Sequence, residues 1–213
     1  MFLNISALKK ILTNSYKSTG LIVGRLENEL VVSTGAGSIG FRIDMDFVPN
    51  KLKGILAELI GDLPKEGEIY TYTKEGQQAE MDFDQFDLYD RWKTAKDFAE
   101  KTPVMLRGFV SDYRLLQVNR TGKLIAVYRE YIDLVSMKDL EEGENMPGHP
   151  SYRDGLFYWK NDRMIYFAGC TGLKEEISQL LLPALEQFRF TEKTIERAEM
   201  VTEDAEEDVL PYA

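Results

Sequence analysis

One cysteine and one histidine are all that the 213 residues contain. A single thiol, Cys170, excludes an internal disulfide framework, and a lone imidazole, His149, leaves zinc well short of its usual ~4 ligands. Long apolar runs are missing as well: none approaches the roughly 18 residues that span a bilayer. The start, Met1-Phe-Leu-Asn-Ile5, has no basic region followed by an apolar stretch and a small-residue cleavage site. No secretory leader is therefore expected, and the expected location is the cytoplasm. The sequon Asn119-Arg-Thr121 loses its weight for the same reason. Nor is there a surplus of positive charge. A net charge of −10 excludes binding nucleic acid over the whole surface, because neutralising phosphates needs clustered cations.

What is present supports folded cores. The chain is 44% hydrophobic and 11% aromatic, with an ordinary 29% of charged residues. Charge is unevenly placed. Residues 1–60 hold seven Lys/Arg against five Asp/Glu, whereas residues 173–213 hold four against eleven. The block Glu203-Asp-Ala-Glu-Glu-Asp208 opens an acidic tail over 204–213 that is expected to be mobile, and Val209–Ala213 reads as an untethered terminus.

The chain also repeats itself. Ser6–Ile11, Gly20–Ser33 and Val48–Ile60 read as short helix, hairpin and longer helix; Arg129–Val135, Gly155–Ala168 and Leu173–Phe188 read the same way. The echo Ala79-Glu-Met-Asp-Phe-Asp84 against Ala198-Glu-Met-Val-Thr-Glu203 closes the two copies. A longer offset in the later part of the second copy marks Asp139–Pro150 as an inserted loop. The expected organisation is a domain over 1–83, an interdomain segment over 84–102, a second domain over 103–203 and the tail.

Local pattern fills in the elements. Met1–Ile5 is strand-like, and Leu8, Ile11 and Leu12 recur at helical spacing, with Lys10, Thr13 and Lys17 on the opposite side. Leu21–Val23 and Leu30–Val32 flank Glu27-Asn-Glu29 as a hairpin, and Ile39, Phe41 and Ile43 alternate as a third strand. Pro49 suits a helix first turn, Leu52, Ile55, Leu56 and Leu59 form its apolar stripe, and Gly61 stops it. Glu68–Thr73 and Gln77–Phe83 read as a hairpin. In the second half, strands are expected at Val104–Val110, Tyr113–Val118 and Leu124–Val127. Its hairpin runs into the helix with no third strand, and Pro183 should kink that helix.

Catalytic chemistry finds little footing. Cys170 in Ala168-Gly-Cys-Thr-Gly172 sits between a strand and a helix, where a thiol pKa can fall, yet no motif pairs it with His149. An enzyme using either residue is the minor alternative, and no cofactor or metal is expected. Ser33–Gly40 is glycine-rich but lacks Gly-Lys-Ser/Thr and precedes a strand, so it reads as a turn. Asp82, Asp84, Asp87 and Asp90 lack calcium-loop spacing and read as a solvated linker anchored by Phe83, Phe86 and Tyr89. Tyr158, Trp159, Tyr166 and Phe167 could stack on bases, but core packing is the commoner use.

The stretch Val48-Pro-Asn-Lys-Leu-Lys-Gly-Ile-Leu-Ala-Glu-Leu-Ile-Gly-Asp-Leu-Pro-Lys-Glu-Gly-Glu-Ile69 resembles a passage of the DNA sliding-clamp family, the processivity factors of replicative polymerases. Ser6–Ile11 resembles that family's first helix and Leu26–Val32 its next hairpin. The resemblance covers most of residues 1–83 and, more faintly, 123–203. It implies an α+β fold of two similar clamp-like domains, each with two helices packed on antiparallel sheet, as in the two-domain subunits of phage and eukaryotic-type clamps. It further implies a non-enzymatic accessory factor, a processivity or DNA-tethering protein of a phage or mobile element, closing as a homo-oligomeric ring on duplex DNA. Lys9, Lys10, Lys17, Lys51 and Lys53 would then face phosphates. The alternative is a protein-interaction module that keeps the fold and leaves DNA alone. The second copy departs from the pattern: its long helix sets Glu175, Gln179 and Glu186 opposite Ile177, Leu181 and Phe188, so a ring lined by it would be half acidic.

Overall fold

The computed structural model describes residues 1–80, 88–109 and 111–190. Helix α1 (Ile5–Lys17) starts where the Asn4 side chain accepts the Ala7 N–H, buries Ile5, Leu8 and Leu12, and ends with Lys17 favourably in its last turn. Strands β1 (Leu21–Leu26) and β2 (Glu29–Thr34) form the expected hairpin, and β3 (Ile39–Asp44) follows. Helix α2 (Asn50–Ile60) begins directly after Pro49, buries Leu52, Ile55 and Leu56, and leaves Leu59 half-buried. Gly61 stops it at φ +76°, a conformation that any side chain would strain. Strands β4 (Ile69–Thr73) and β5 (Gly76–Glu80) pair across Lys74-Glu75.

The second half begins earlier than its pattern suggested. A short helix, α3 (Leu88–Thr94), lies inside the segment read as interdomain, and β6 (Asp97–Leu106) starts there too. The strand expected from Val104 is the end of this longer one. Pairing with β7 (Tyr113–Val118) shifts register between Lys101 and Met105, around Pro103, which has no N–H to give the ladder. Strand β8 (Leu124–Tyr128) runs straight into a four-residue helix, α4 (Arg129–Ile132). A third strand does exist in this half: β9 (Ser151–Arg153) precedes the hairpin β10 (Leu156–Lys160) and β11 (Met164–Gly169) and pairs with β10. At three residues, β9 was too short for alternation to reveal it. Met1–Ile5 is no strand but a single bridge, Leu3 to Val135, flanked by Asn4 N–H to Leu134 O and Ser136 N–H to Phe2 O, both 2.8 Å.

Among the described residues, eleven strands join in the order β5-β4-β1-β2-β3-β11-β10-β9-β6-β7-β8, and every pair is antiparallel. The seam between the halves is β3 against β11, with Ile43 opposite Met164, Phe41 opposite Tyr166 and Ile39 opposite Ala168. One core runs along one sheet face. It takes Leu8 and Leu12 of α1, Leu52 and Leu56 of α2, Ile132 of α4, Phe41, Trp159 and Tyr166 from the middle, and Leu116 and Val127 from the far end. The four aromatics named as base-stacking candidates are thus core residues, all buried. Each large apolar side chain so removed from water contributes on the order of 1.5–3 kcal/mol.

The reverse face carries two smaller clusters. Leu88 and Ala95 around α3 meet Tyr158, Ile165 and Phe167, and the C-terminal helix covers Leu115, Leu124 and Ala126. That helix is helical from Glu175, then makes a π turn (Ile177–Leu181) before α5 (Leu182–Leu185). The Leu182 N–H reaches back to Ile177 O, five residues away. Pro183 explains the wider turn, because it cannot donate to the carbonyl four residues back and its ring would strike it. The docking side is Leu173, Leu182 and Leu185, not the expected Ile177, Leu181 and Phe188. The echo around 79–84 and 198–203, the acids Asp82, Asp84 and Asp87, and the tail 204–213 with Val209–Ala213 lie wholly or largely outside the described residues.

Candidate nucleic-acid interface

Helices α1 and α2 lie against each other on the core face, and together they carry five lysines and one glutamate. Their apolar stripes fix which way the lysines point. With Leu8 and Leu12 buried, Lys10 and Lys17 stand exposed and Lys9 half-exposed; with Leu52 and Leu56 buried, Lys51 is exposed and Lys53 half-buried.

Two of the five lysines are engaged. Lys9 Nζ meets Glu58 Oε2 at 2.6 Å, and Lys51 Nζ meets Ser6 Oγ at 3.1 Å and Asp139 Oδ1 at 3.3 Å. Exposed pairs of this kind are worth about 0.2–1 kcal/mol, so a phosphate can compete for either cation. Among the described residues, Lys10, Lys17 and Lys53 make no ion pair. They are the unmatched charges of the helix pair.

The loop read as an insertion is a fastening for this helix pair. Asp139 Oδ2 accepts the Ile5 N–H at 2.8 Å at the open end of α1, while its other oxygen meets Lys51. Burial alone would raise this carboxyl, but the Ile5 N–H and the Lys51 ammonium outweigh it and hold the group below its ordinary range. Further along, Glu144 is buried and meets the Met1 ammonium at 2.7 Å, with the Asn161 amide at 3.1 Å. Its carboxyl too is held low against the push of burial, by those two hydrogen bonds and the ammonium charge.

The acidic helix of the second half does not stand among the core-face helices. Leu115 and Leu124, which it covers, alternate with Leu116 and Ile125, which face the main core, so it sits on the opposite side of β7 and β8 from α1 and α2. Its acids are differently used as well. Gln179 donates to Glu175 at 2.7 Å, and Glu186 accepts the Leu124 N–H at 2.8 Å. The expectation of a half-acidic lining came from assuming that both copies put their long helix on the same face.

Sequence reasoning passed over three cations. Lys101 pairs in register with Leu116, and Arg114 alternates with Leu116 and Val118, so both side chains belong to the core face of the sheet. Arg129 opens α4 and meets Asp133 at 2.9 Å. Burial lowers the Lys101 ammonium, with Asp133 pulling it up and Arg114 pushing it further down. The alternation Arg114-Leu-Leu116-Gln-Val118 was the signal that could have found Arg114.

The catalytic alternative gains nothing from the geometry. His149 Nε2 lies 3.5 Å from Glu100 Oε1, whereas exposed Cys170 sits against Gly155, its N–H donating to Gly155 O at 2.7 Å. No hydrogen bond joins the two residues among those described. The glycine-rich turns at 35–38 and 169–172 meet, with Gly169 N–H on Ser38 O at 2.8 Å, and line a cleft of about 370 Å³. Among the described residues, no group of three His, Cys, Asp or Glu is placed to hold a metal, and no helix is long and apolar enough to cross a membrane.

Fold and site together define an α+β protein with a large antiparallel sheet and a lysine-bearing helix pair on its core face. No family model matches the chain, and no curated protein does. Solved structures align with it, among them a DNA polymerase sliding clamp and DNA polymerase beta subunits. The DNA polymerase sliding clamp from Bacillus subtilis is 7% identical, with TM-score 0.37, over 83% of this chain and 66% of that one. A putative DNA polymerase III beta subunit from Eubacterium rectale is 10% identical, with TM-score 0.36, over 84% and 66%. The beta subunit from Thermotoga maritima is 7% identical, with TM-score 0.32, over 84% and 66%. The alignments therefore span just under two thirds of each of those chains.

Proposed function

We propose that this protein is a non-enzymatic DNA-clamp-like accessory factor, a processivity or tethering protein. Lys9, Lys10, Lys17, Lys51 and Lys53 face the phosphates of duplex DNA. In this reading residues 1–83 and 103–203 act as two clamp-like units joined through 84–102, and the chain assembles with copies of itself. The observation that carries the reading is the helix pair α1–α2: five lysines, three without ion-pair partners among the described residues, held side by side on one sheet face. Such an array attracts phosphate without reading bases, which is what a sliding protein needs. The test is duplex binding as a function of salt. Affinity should fall steeply as salt rises and collapse when Lys10 and Lys17 become Glu; binding that ignores salt sinks the proposal.

A second reading has its own observation. Leu180 and Phe188 stand 74% and 61% exposed on the C-terminal segment, turned away from the sheet it covers. A protein-interaction module that does not bind DNA would use that face, since exposed apolar groups of this kind mark contact surfaces. Replacing Leu180 and Phe188 by Ser should leave DNA binding intact under the first reading and abolish partner binding under the second.

A further inference from the structure

The far end of the core face holds cations that their surroundings do not answer. Arg114 of β7 lies opposite Met105 of β6, and Lys101 lies opposite Leu116, one step further along the same face. Diagonal neighbours of this kind stand about 7–8 Å apart, and like charges so placed repel. Burial lowers the Lys101 ammonium, Asp133 pulls it back up, and Arg114 pushes it down again, so the two cations feel each other.

Among the described residues, neither cation has a carboxylate in ion-pair contact, and nor does Arg107 beside them. The half-buried Arg114 has no hydrogen-bond partner for its buried Nε, and one terminal nitrogen reaches Thr102 O at a weak 3.5 Å. The acids nearby are turned to another cation: Asp133 meets Arg129 at 2.9 Å, and Asp112 lies 3.8 Å from it. A guanidinium so poorly matched inside a fold calls for an acceptor, and a planar fork of donors fits the oxygens of a phosphate.

The same hairpin end is apolar as well as basic. Met105 is 45% exposed, and Phe109, in the turn between β6 and β7, is fully exposed close to exposed Arg107. A lone apolar side chain in water needs no explanation, but here two stand among three unmatched cations. A bare ring beside guanidinium groups suits a partner that offers both a flat face and a negative charge, which is an unpaired base with its phosphate. Bases within a duplex already stack on one another and leave such a ring nothing to cover.

We propose that the open end of the β6–β7 hairpin is a site for single-stranded nucleic acid, with Phe109 stacking on an unpaired base and Lys101, Arg107 and Arg114 holding the phosphates beside it. This goes beyond the duplex reading and does not depend on it, since none of these residues belongs to α1 or α2. The cations run back along the strand, and Lys101 to Met105 alone spans up to roughly 13 Å at about 3.3 Å per residue. A flexible polyanion can follow such a track, whereas an anionic membrane surface meets only the tip.

The experiment measures fluorescence anisotropy of a labelled oligothymidine, an abasic strand of equal length and a duplex. Wild type should bind the oligothymidine with an affinity that falls as salt rises. Phe109→Ala should weaken that binding by at least about fivefold, the loss of one stacked base, and leave the abasic strand unaffected. Arg114→Gln should weaken both strands; should it fold poorly, Arg107→Gln, at an exposed position, takes its place. Lys10→Glu/Lys17→Glu should spare the oligothymidine. Phe109→Ala that binds oligothymidine as wild type does overturns the site. So does single-strand binding that the α1 reversals abolish and the arginine variants leave intact. Capture by phosphatidylserine–phosphatidylcholine vesicles through Phe109, with oligothymidine unbound, overturns it in favour of a membrane. Loss of duplex binding alone removes the clamp reading and keeps this site; duplex binding with no single-strand binding removes the site and keeps the clamp.

Discussion

Lys51 of the first helix pair is held at 3.3 Å by Asp139 of a loop 88 residues away. This ion pair makes the proposed DNA face and the second half's loop parts of one structure, and it ranks the lysines. Charge reversal at Lys10 and Lys17 should weaken duplex binding most, cutting the slope of log affinity against log salt by about 1 for each lysine that no longer meets a phosphate. Lys51→Ala should cost less affinity, since part of its charge is already answered by Asp139. Fluorescence anisotropy at several salt concentrations checks the order, and equal weakening at all three positions would contradict it.

Acid should loosen the same region first. Asp139 and Glu144 both titrate below the ordinary carboxylate range, so their contribution to stability is complete above that range, near pH 4, and is lost as pH falls through their lowered values. Asp139→Asn should therefore be less stable than wild type at pH 7 and converge with it toward pH 3. Urea midpoints across that interval give the measurement; a constant gap would remove the assignment.

Gly40 should tolerate no side chain. A Cβ there would lie 2.5 Å from the Phe167 ring and 2.8 Å from Val32 O, on the strand next to the seam. Gly40→Ala should cost about 1–3 kcal/mol through overpacking. In a chain of this length each kcal/mol lowers Tm by about 2–4 °C, readable by calorimetry.

Tyr166→Phe offers a smaller and cleaner deletion. The phenol has no exposed surface and donates to Tyr131 O at 2.9 Å. Burial pushes its pKa well up, with Tyr131 and Glu130 adding to the rise. Removing the hydroxyl should lose about 0.5–1.5 kcal/mol and leave binding unchanged. Urea unfolding beside a DNA titration separates the two effects.

Much of the first half was legible because its signals are local. Leu8 and Leu12 on one side of α1 and Pro49 and Gly61 around α2 decide those elements within a few residues. The second half hid its arrangement in long-range pairings. Nothing near Phe41 says that it will face Tyr166, and nothing near Glu186 says that its carboxylate will end on Leu124. Periodicity found the apolar residues of the C-terminal helix, but Pro183 widened the turn between them and rotated a different set toward the sheet. Lys9 and Lys51 were identified as cations, while their partners, Glu58 on α2 and Asp139 on a distant loop, could be known only from the fold.

The seam at β3 and β11 has a thermodynamic consequence. Five residue pairs of ladder and one shared core join the halves, so neither can lose its order while the other keeps a full complement of neighbours. Two modules on a tether would melt in two steps. This chain should melt in one, with its calorimetric and van't Hoff enthalpies equal.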